Sequence, residues 1–190
     1  MQDLRLTAAI ACFAAACGLA STTTARATTF GYSTQPGATC HLSVPDSNPA
    51  ARPKATGYRN ESTTVGSFVI CPIPLGVGNS WNGQPYLIQA FAYSTDGKPH
   101  PISCTAVVGQ LTNPDYPLFY STKSETVDAN DRWDDSNIVG QLFTWTAADF
   151  GGGSAEYTQL PSAGLLPSVT CSLSPQVEVQ AVQARLVDGA

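Results

Sequence analysis

Short apolar runs separated by proline, glycine, asparagine and serine fill the chain from Thr28 to its end. In some runs apolar and polar residues alternate, as in 101–109, and in others nearly every residue is apolar, as in 86–93. Both patterns, when turn-forming residues bound them, are typical of β-strands. Strands are therefore predicted at 40–44, 67–71, 86–93, 101–109, 118–122, 138–146, 155–160, 168–173 and 176–187.

The run at 176–187 has a composition that also suits a helix. Apolar residues alternate from Val177 to Ala181 and again from Val182 to Leu186, with a slip of one position between the two series. A helix would place two charged residues in its apolar stripe, whereas a strand needs only one bulge. We therefore predict one long strand with a bulge.

Turn-forming residues indicate how the strands connect. Asp96-Gly97 favours a tight turn, so 86–93 and 101–109 are expected to pair as a hairpin. The proline-rich segment 45–57 is expected to form a long surface loop, and a short helix is expected near 147–150.

Many short strands with proline- and glycine-rich turns predict an all-β fold, namely an antiparallel two-sheet sandwich that resembles a jelly roll. Residues 28–190 are long enough for one domain with one hydrophobic core.

Residues 1–27 have the features of a signal peptide. Arg5 provides a positive charge, residues 6–20 are small and apolar, and Ala25-Arg26-Ala27 is a small-x-small cleavage pattern. A membrane anchor that is never removed is one alternative, and a lipid anchor on Cys17 is another.

The chain without this leader keeps seven basic and thirteen acidic residues, which gives a formal charge of −6. Nucleic acids and anionic membranes are bound mainly through clustered lysine and arginine, and the sequence holds no such cluster. Neither is expected as a partner. No further apolar run is long enough to span a bilayer, so no transmembrane segment is predicted in the mature chain.

Four cysteines remain after the leader: Cys40, Cys71, Cys104 and Cys171. An even number in an exported chain predicts two disulfides that pin the strand layers together. All three pairings stay open, with a preference for Cys40–Cys71 and Cys104–Cys171. Zinc binding is disfavoured because the nearest two cysteines are about thirty residues apart. The expected location is secreted or periplasmic.

Four segments together resemble small exported β-rich proteins of proteobacteria that share a Cys, Cys-Pro, Cys pattern. These segments are 37–40, 58–63, 69–74 and 102–104, which read G-A-T-C, Y-R-N-E-S-T, V-I-C-P-I-P and I-S-C. The resemblance covers the first half of the mature chain. It implies an exported β domain and brings no activity with it.

Residues suited to catalysis are few. His41 and His100 are the only histidines, and no G-x-S-x-G motif offers a nucleophile elbow. His41 is expected to face solvent, since it alternates with Cys40 in its strand. The stretch Asn60-Glu61-Ser62 matches an N-glycosylation acceptor, which carries no weight if the host is bacterial, as the leader and the resemblance imply.

One dense acidic stretch is a candidate calcium site. Carboxylate and amide oxygens are the ligands that calcium prefers, but the spacing does not match an EF-hand because Arg132 stands where a donor is needed. A solvated acidic loop is the alternative. The candidate ligands are Asp128, Asn130, Asp131, Asp134 and Asp135. No cofactor is predicted apart from this ion.

Tryptophans in polar loops suggest carbohydrate contact. Trp81 with Asn82, and Trp133 in the acidic stretch, would stack on a sugar ring while polar neighbours bind its hydroxyls. The alternative is that each ring caps one end of the sandwich. Trp145 alternates within a strand and is expected in the core.

The sequence therefore predicts a non-enzymatic exported module that binds carbohydrate or protein at the cell surface through loops 78–83 and 128–137. Two alternatives stay open. One is a self-assembling structural subunit in which the strand at 176–187 pairs with a neighbouring sheet edge. The other is a polysaccharide-acting hydrolase whose acidic residues converge from separate strands.

Overall fold

A computed structural model describes residues 30–75, 84–109, 118–128, 132–133, 138–154, 158–161 and 167–187. The predicted leader at 1–27 lies outside this part of the chain. The strands are β1 Phe30–Pro36, β2 His41–Leu42, β3 Ala51–Pro53, β4 Tyr58–Asn60, β5 Ser67–Pro72, β6 Gln84–Ser94, β7 His100–Val108, β8 Phe119–Val127, β9 Arg132–Trp133, β10 Ile138–Val139, β11 Gln141–Thr146, β12 Ser168–Leu173 and β13 Val177–Val187. The described residues also contain two short 3₁₀ helices, Gly37–Thr39 and Ala147–Phe150. The second confirms the helix expected near 147–150.

The strands form two antiparallel sheets, which confirms the predicted sandwich. Sheet A has the order β11-β6-β13-β4-β3, and β1 pairs with β13 on the same side as β4. Sheet B has the order β2-β5-β12-β7-β8, and β9 pairs with β10 apart from both. The buried apolar side chains of sheets A and B form one cluster, so the described residues share a single core. Trp145 is fully buried there, as predicted.

The predicted hairpin between 86–93 and 101–109 is wrong. Strand β6 lies in sheet A and β7 in sheet B, so the turn between them crosses from one layer to the other. Asp96 holds this turn, because its Oδ1 lies 2.8 Å from Nε2 of His100 and accepts a bond from the backbone N–H of Lys98 at 3.0 Å. The bond to His100, followed by that from Lys98, lowers the pKa of Asp96 to about 2.

Two further expectations need correction. Segment 45–57 is not wholly a loop, since β3 lies within it and pairs with β4. Residues 158–160 of the strand predicted at 155–160 form no strand, and 155–157 lie outside the described residues.

Strand β13 confirms the prediction of one long strand with a bulge. The register against β6 shifts between Val179 and Ala181, one position before the slip in the sequence pattern. The strand is central, because β6 occupies one of its edges and β1 with β4 occupies the other. Both of its edges are therefore paired along most of its length within the described residues, and the self-assembling subunit stays an untested alternative.

Gly37 lies directly against the bulge of β13. A Cβ at Gly37 would overlap the carbonyl oxygen of Val179, a backbone atom that cannot rotate away. We expect Gly37→Ala to lower the free energy of unfolding by about 3 kcal/mol, measured by urea denaturation. Gly153→Ala is the control, since its Cβ would meet only the Thr158 side chain at 3.6 Å. Equal losses in the two variants would contradict the close approach.

Both preferred disulfides are present, Cys40–Cys71 and Cys104–Cys171. They do not pin the two layers together as expected. Cys104 and Cys171 are directly opposite on β7 and β12, and Cys40 precedes β2 and joins Cys71 on β5. Both bridges thus link neighbouring strands within sheet B.

Candidate functional site

Most residues of the two predicted sites lie outside the described part of the chain. This is so for Trp81, Asn82, Asn130, Asp131, Asp134 and Asp135, and for the side chain of Trp133, whose backbone belongs to β9. Asp128 is described and half-buried just after β8. Among the described residues, no three histidine, cysteine, aspartate or glutamate side chains gather closely enough to hold a metal ion. The calcium and tryptophan sites therefore stay predictions.

The two histidines have different surroundings. His41 is exposed on β2, as predicted, while His100 is held against Asp96 at the start of β7.

A different set of polar residues converges on the outer face of sheet B. Strands β7 and β12 direct Ile102, Cys104, Val169 and Cys171 into the core. Because side chains alternate between the faces of a strand, the residues between them face outward. The outward residues of β7, β8 and β12 include Ser103, Thr105, Thr122, Ser124, Thr126, Ser168, Thr170 and Ser172.

The strand register aligns these hydroxyls into two rows across the sheet. The threonine row consists of Thr170, Thr105 and Thr122, and the serine row consists of Ser172, Ser103 and Ser124. Within the rows, Thr105 and Thr122 share a hydrogen bond of 2.7 Å, and Ser124 Oγ donates to Ser103 Oγ at 3.0 Å. Neighbouring strands lie about 4.7–4.9 Å apart, which sets the spacing within each row.

An open groove of about 530 Å³ lies over the serine row and the outward residues next to it. We call it the serine groove. It is lined by Pro101, Ile102, Ser103, Ser124, Glu125, Thr126, Ser172 and Ser174. Five of the eight lining residues carry hydroxyls. Glu125 is the only charged residue among the eight.

The hydroxyls of the serine groove differ in their hydrogen bonds. Ser174 Oγ donates to the carbonyl oxygen of Pro101, which ties the end of β12 to β7. Within the described residues, the side chains of Ser172 and Thr126 form no hydrogen bond to the protein. These two hydroxyls are therefore available to a ligand as both donors and acceptors.

An exposed aromatic ring stands at one end of the serine row. Phe68 on β5 is directly opposite Ser172, and 59% of its surface is exposed. A second exposed ring on this face, Tyr120, is opposite Val107 and lies outside the serine row. Phe68 therefore lies beside the serine row, next to the residues that line the groove.

The Cys104–Cys171 bridge lies on the inner side of the same strand pair. Each cysteine stands between two outward hydroxyl residues, Ser103 and Thr105 on β7 and Thr170 and Ser172 on β12. The bridge fixes the register of the two strands, so it also fixes the serine row before any ligand binds. Such preorganisation favours binding because less entropy is lost on association.

Sequence reasoning treated these hydroxyls only as the polar partners in alternating strands. The available signal was the pair of tripeptides Ser103-Cys104-Thr105 and Thr170-Cys171-Ser172, in which hydroxyls flank a cysteine on both sides. That signal indicates a hydroxyl-rich face only once the disulfide pairing and the register are known.

Two buried polar clusters stabilise the sandwich away from the groove. In the first, fully buried Asn60 donates from Nδ2 to the carbonyl oxygen of Val65 at 2.8 Å, and its Oδ1 accepts from Asn48 at 3.1 Å. The asparagine of the glycosylation match therefore has a structural role and is inaccessible in the folded chain. The second cluster contains Arg59, Glu178 and Tyr93.

Comparison of the chain with protein-family models, curated proteins and solved structures finds no match. No helix in the described ranges is long and apolar enough to cross a membrane. What the protein does must therefore be inferred from the chemistry of its own surface, where the serine groove gathers outward polar side chains from three neighbouring strands.

Proposed function

We propose that the protein is an exported, non-enzymatic binding module whose serine groove holds a neutral glycan. The observation that carries this proposal is the alignment of five hydroxyl residues from three strand regions in one open groove, with an exposed aromatic ring beside it.

The chemistry of the groove matches that of a sugar. Hydroxyl groups both donate and accept hydrogen bonds, so serine and threonine can pair with sugar hydroxyls in either direction. The apolar face of a pyranose ring stacks on an aromatic side chain, which Phe68 provides. A strongly charged ligand would find no opposite charge among the outward hydroxyl rows.

The two disulfides support a location outside the cytosol. Such bridges form and persist in oxidising compartments, and both are buried in sheet B. The proposal therefore includes a secreted or periplasmic protein with a signal peptide at 1–27, and keeps attachment through Cys17 as the variant in which the module stays on a membrane.

Hydrolysis of the glycan is the second candidate and has less support. A glycosidase normally uses two carboxylates on opposite sides of the scissile bond. Among the groove residues that the structure describes, Glu125 provides one carboxylate and no second one faces it.

The test is binding to a panel of neutral β-glucan, xylan, mannan and galactan polymers, alongside an acidic polyuronate. We expect wild type to bind a neutral polymer, and Ser124→Lys to weaken this binding at least tenfold because a charge and a long side chain enter the groove. Thr64→Lys, an equal change at an exposed loop position, is the control and should bind like wild type. Preference for the polyuronate, no binding at all, or equal loss in both variants would overturn the proposal.

A further inference from the structure

We infer that the glycan lies across the strands of sheet B, along the serine row, as an extended chain of about four sugar rings with one ring on Phe68. This inference rests on the proposed function. It adds the orientation of the bound chain, its length, and which end of the site contacts it through an aromatic ring.

The orientation follows from which rows line the groove. The serine row on β12, β7 and β8 lines it together with the next outward row, Ser174, Pro101 and Thr126, whereas the threonine row on the other side does not. The groove therefore crosses three strands and covers two successive outward rows. A chain that followed β8 would leave the groove at Thr122 and meet Tyr120.

The length follows from the strand spacing. From Phe68 on β5 to Ser124 on β8 there are three strand intervals, which makes about 14 Å. An extended β-linked chain advances by about one strand interval with each pyranose ring. Four rings therefore span the distance from Phe68 to Ser124.

The two ends of the row differ in chemistry. At the β5 end, Phe68 offers an apolar ring and no hydrogen bond. At the β8 end, Ser124 and Thr126 offer two hydroxyls. The site therefore binds one end of the chain by stacking and the other by hydrogen bonds. Only a chain long enough to reach both ends gains both contributions to affinity.

The test is a length series measured by isothermal titration with β-1,4-linked glucose, xylose and mannose oligomers of two, four and six residues. For at least one sugar, we expect affinity to rise at least tenfold from two residues to four, and less than twofold from four to six. Phe68→Ala should abolish the gain from two to four residues while leaving disaccharide binding within twofold of wild type.

Tyr120→Ala is the matched control, because Tyr120 is as exposed as Phe68 on the same face but lies outside the serine row. It should bind every oligomer like wild type. Equal affinity for two and six residues, or a loss in Tyr120→Ala that Phe68→Ala does not show, would overturn the inference and leave the proposed function standing. If no oligomer and no polymer binds, both fall together.

Discussion

Replacing Arg59 by methionine is expected to lower the free energy of unfolding by about 3 to 5 kcal/mol, since it leaves a buried carboxylate without its counter-charge. The carboxylate is that of Glu178, which is fully buried on the outward side of β13. Arg59 faces it from β4 and Tyr93 faces it from β6, so the three side chains form a row across three strands.

The hydrogen bonds in this row concentrate on one oxygen of Glu178. Nε of Arg59 donates to Oε2, and the Tyr93 hydroxyl donates to the same atom at 3.0 Å. Burial, followed by the bond to Glu178, raises the pKa of Tyr93, so its hydroxyl stays protonated and remains a donor. Oε1 of Glu178 is buried and has no hydrogen-bond partner among the described residues. The free-energy cost of burying this carboxylate is therefore offset mainly by the two bonds to Oε2.

Urea denaturation of Arg59→Met beside Arg52→Met measures the effect. Arg52 also pairs with a glutamate, Glu61, but 59% of its side chain is exposed, and an exposed pair contributes about 1 kcal/mol or less. A double variant, Arg59→Met with Glu178→Met, should recover much of the loss because no charge is then buried. Similar losses for Arg59→Met and Arg52→Met would show that Glu178 does not depend on its partner.

The same three side chains show why the burial of Glu178 could not be predicted from the sequence. Alternation identifies the inner face of β13 through Val177, Val179 and Val182, which are all fully buried. It also places Glu178 on the opposite face, where a charged residue is normally exposed to solvent. Only the positions of β4 and β6 beside β13 reveal that Glu178 is buried and paired, and these strands come from distant parts of the chain.

The positions of strands with one buried face could be predicted from the sequence, but the strands with which they pair could not. The prediction for 168–173 matches β12, because Val169, Cys171 and Leu173 alternate with outward polar residues. Strand β1 was missed because its pattern is inverted: Phe30 and Tyr32 are exposed. The hairpin prediction failed because a turn sequence sets the local bend but not the sheet to which the next strand belongs.

The serine groove was beyond sequence reasoning for the same reason. Ser103, Ser124 and Ser172 lie on three strands, and only the register brings them into one row. A shift of one residue in any of these strands would turn its hydroxyls toward the core. The sequence shows the hydroxyls and both cysteines, and the structure supplies the alignment.

Removal of the Cys104–Cys171 bridge is the second change with a large expected effect. The bridge closes a loop with a sequence separation of 67, and in the chain-entropy description its loss costs about 4 kcal/mol. The double variant Cys104→Ala with Cys171→Ala should therefore lower the free energy of unfolding by about 2 to 5 kcal/mol, measured by urea denaturation. Single variants are avoided because they leave a free thiol.

Removal of the Cys40–Cys71 bridge is the matched control. Its sequence separation is 31, so its loss should cost a little less, and it joins β5 to the edge of sheet B away from the serine groove. Stability should therefore fall in both double variants. Glycan binding should weaken more when Cys104–Cys171 is removed, since only that bridge fixes β7 against β12 beneath Ser103 and Ser172.

Binding and stability can be separated in this comparison, because both double variants can be assayed well below their melting temperatures. If glycan affinity falls equally in the two, the loss reflects general loosening of sheet B and not the register of the serine row. If affinity falls more without Cys104–Cys171, the bridge acts on the groove itself. The disulfide would then do more than stabilise the fold, since it holds β7 and β12 in the alignment that forms the centre of the binding surface.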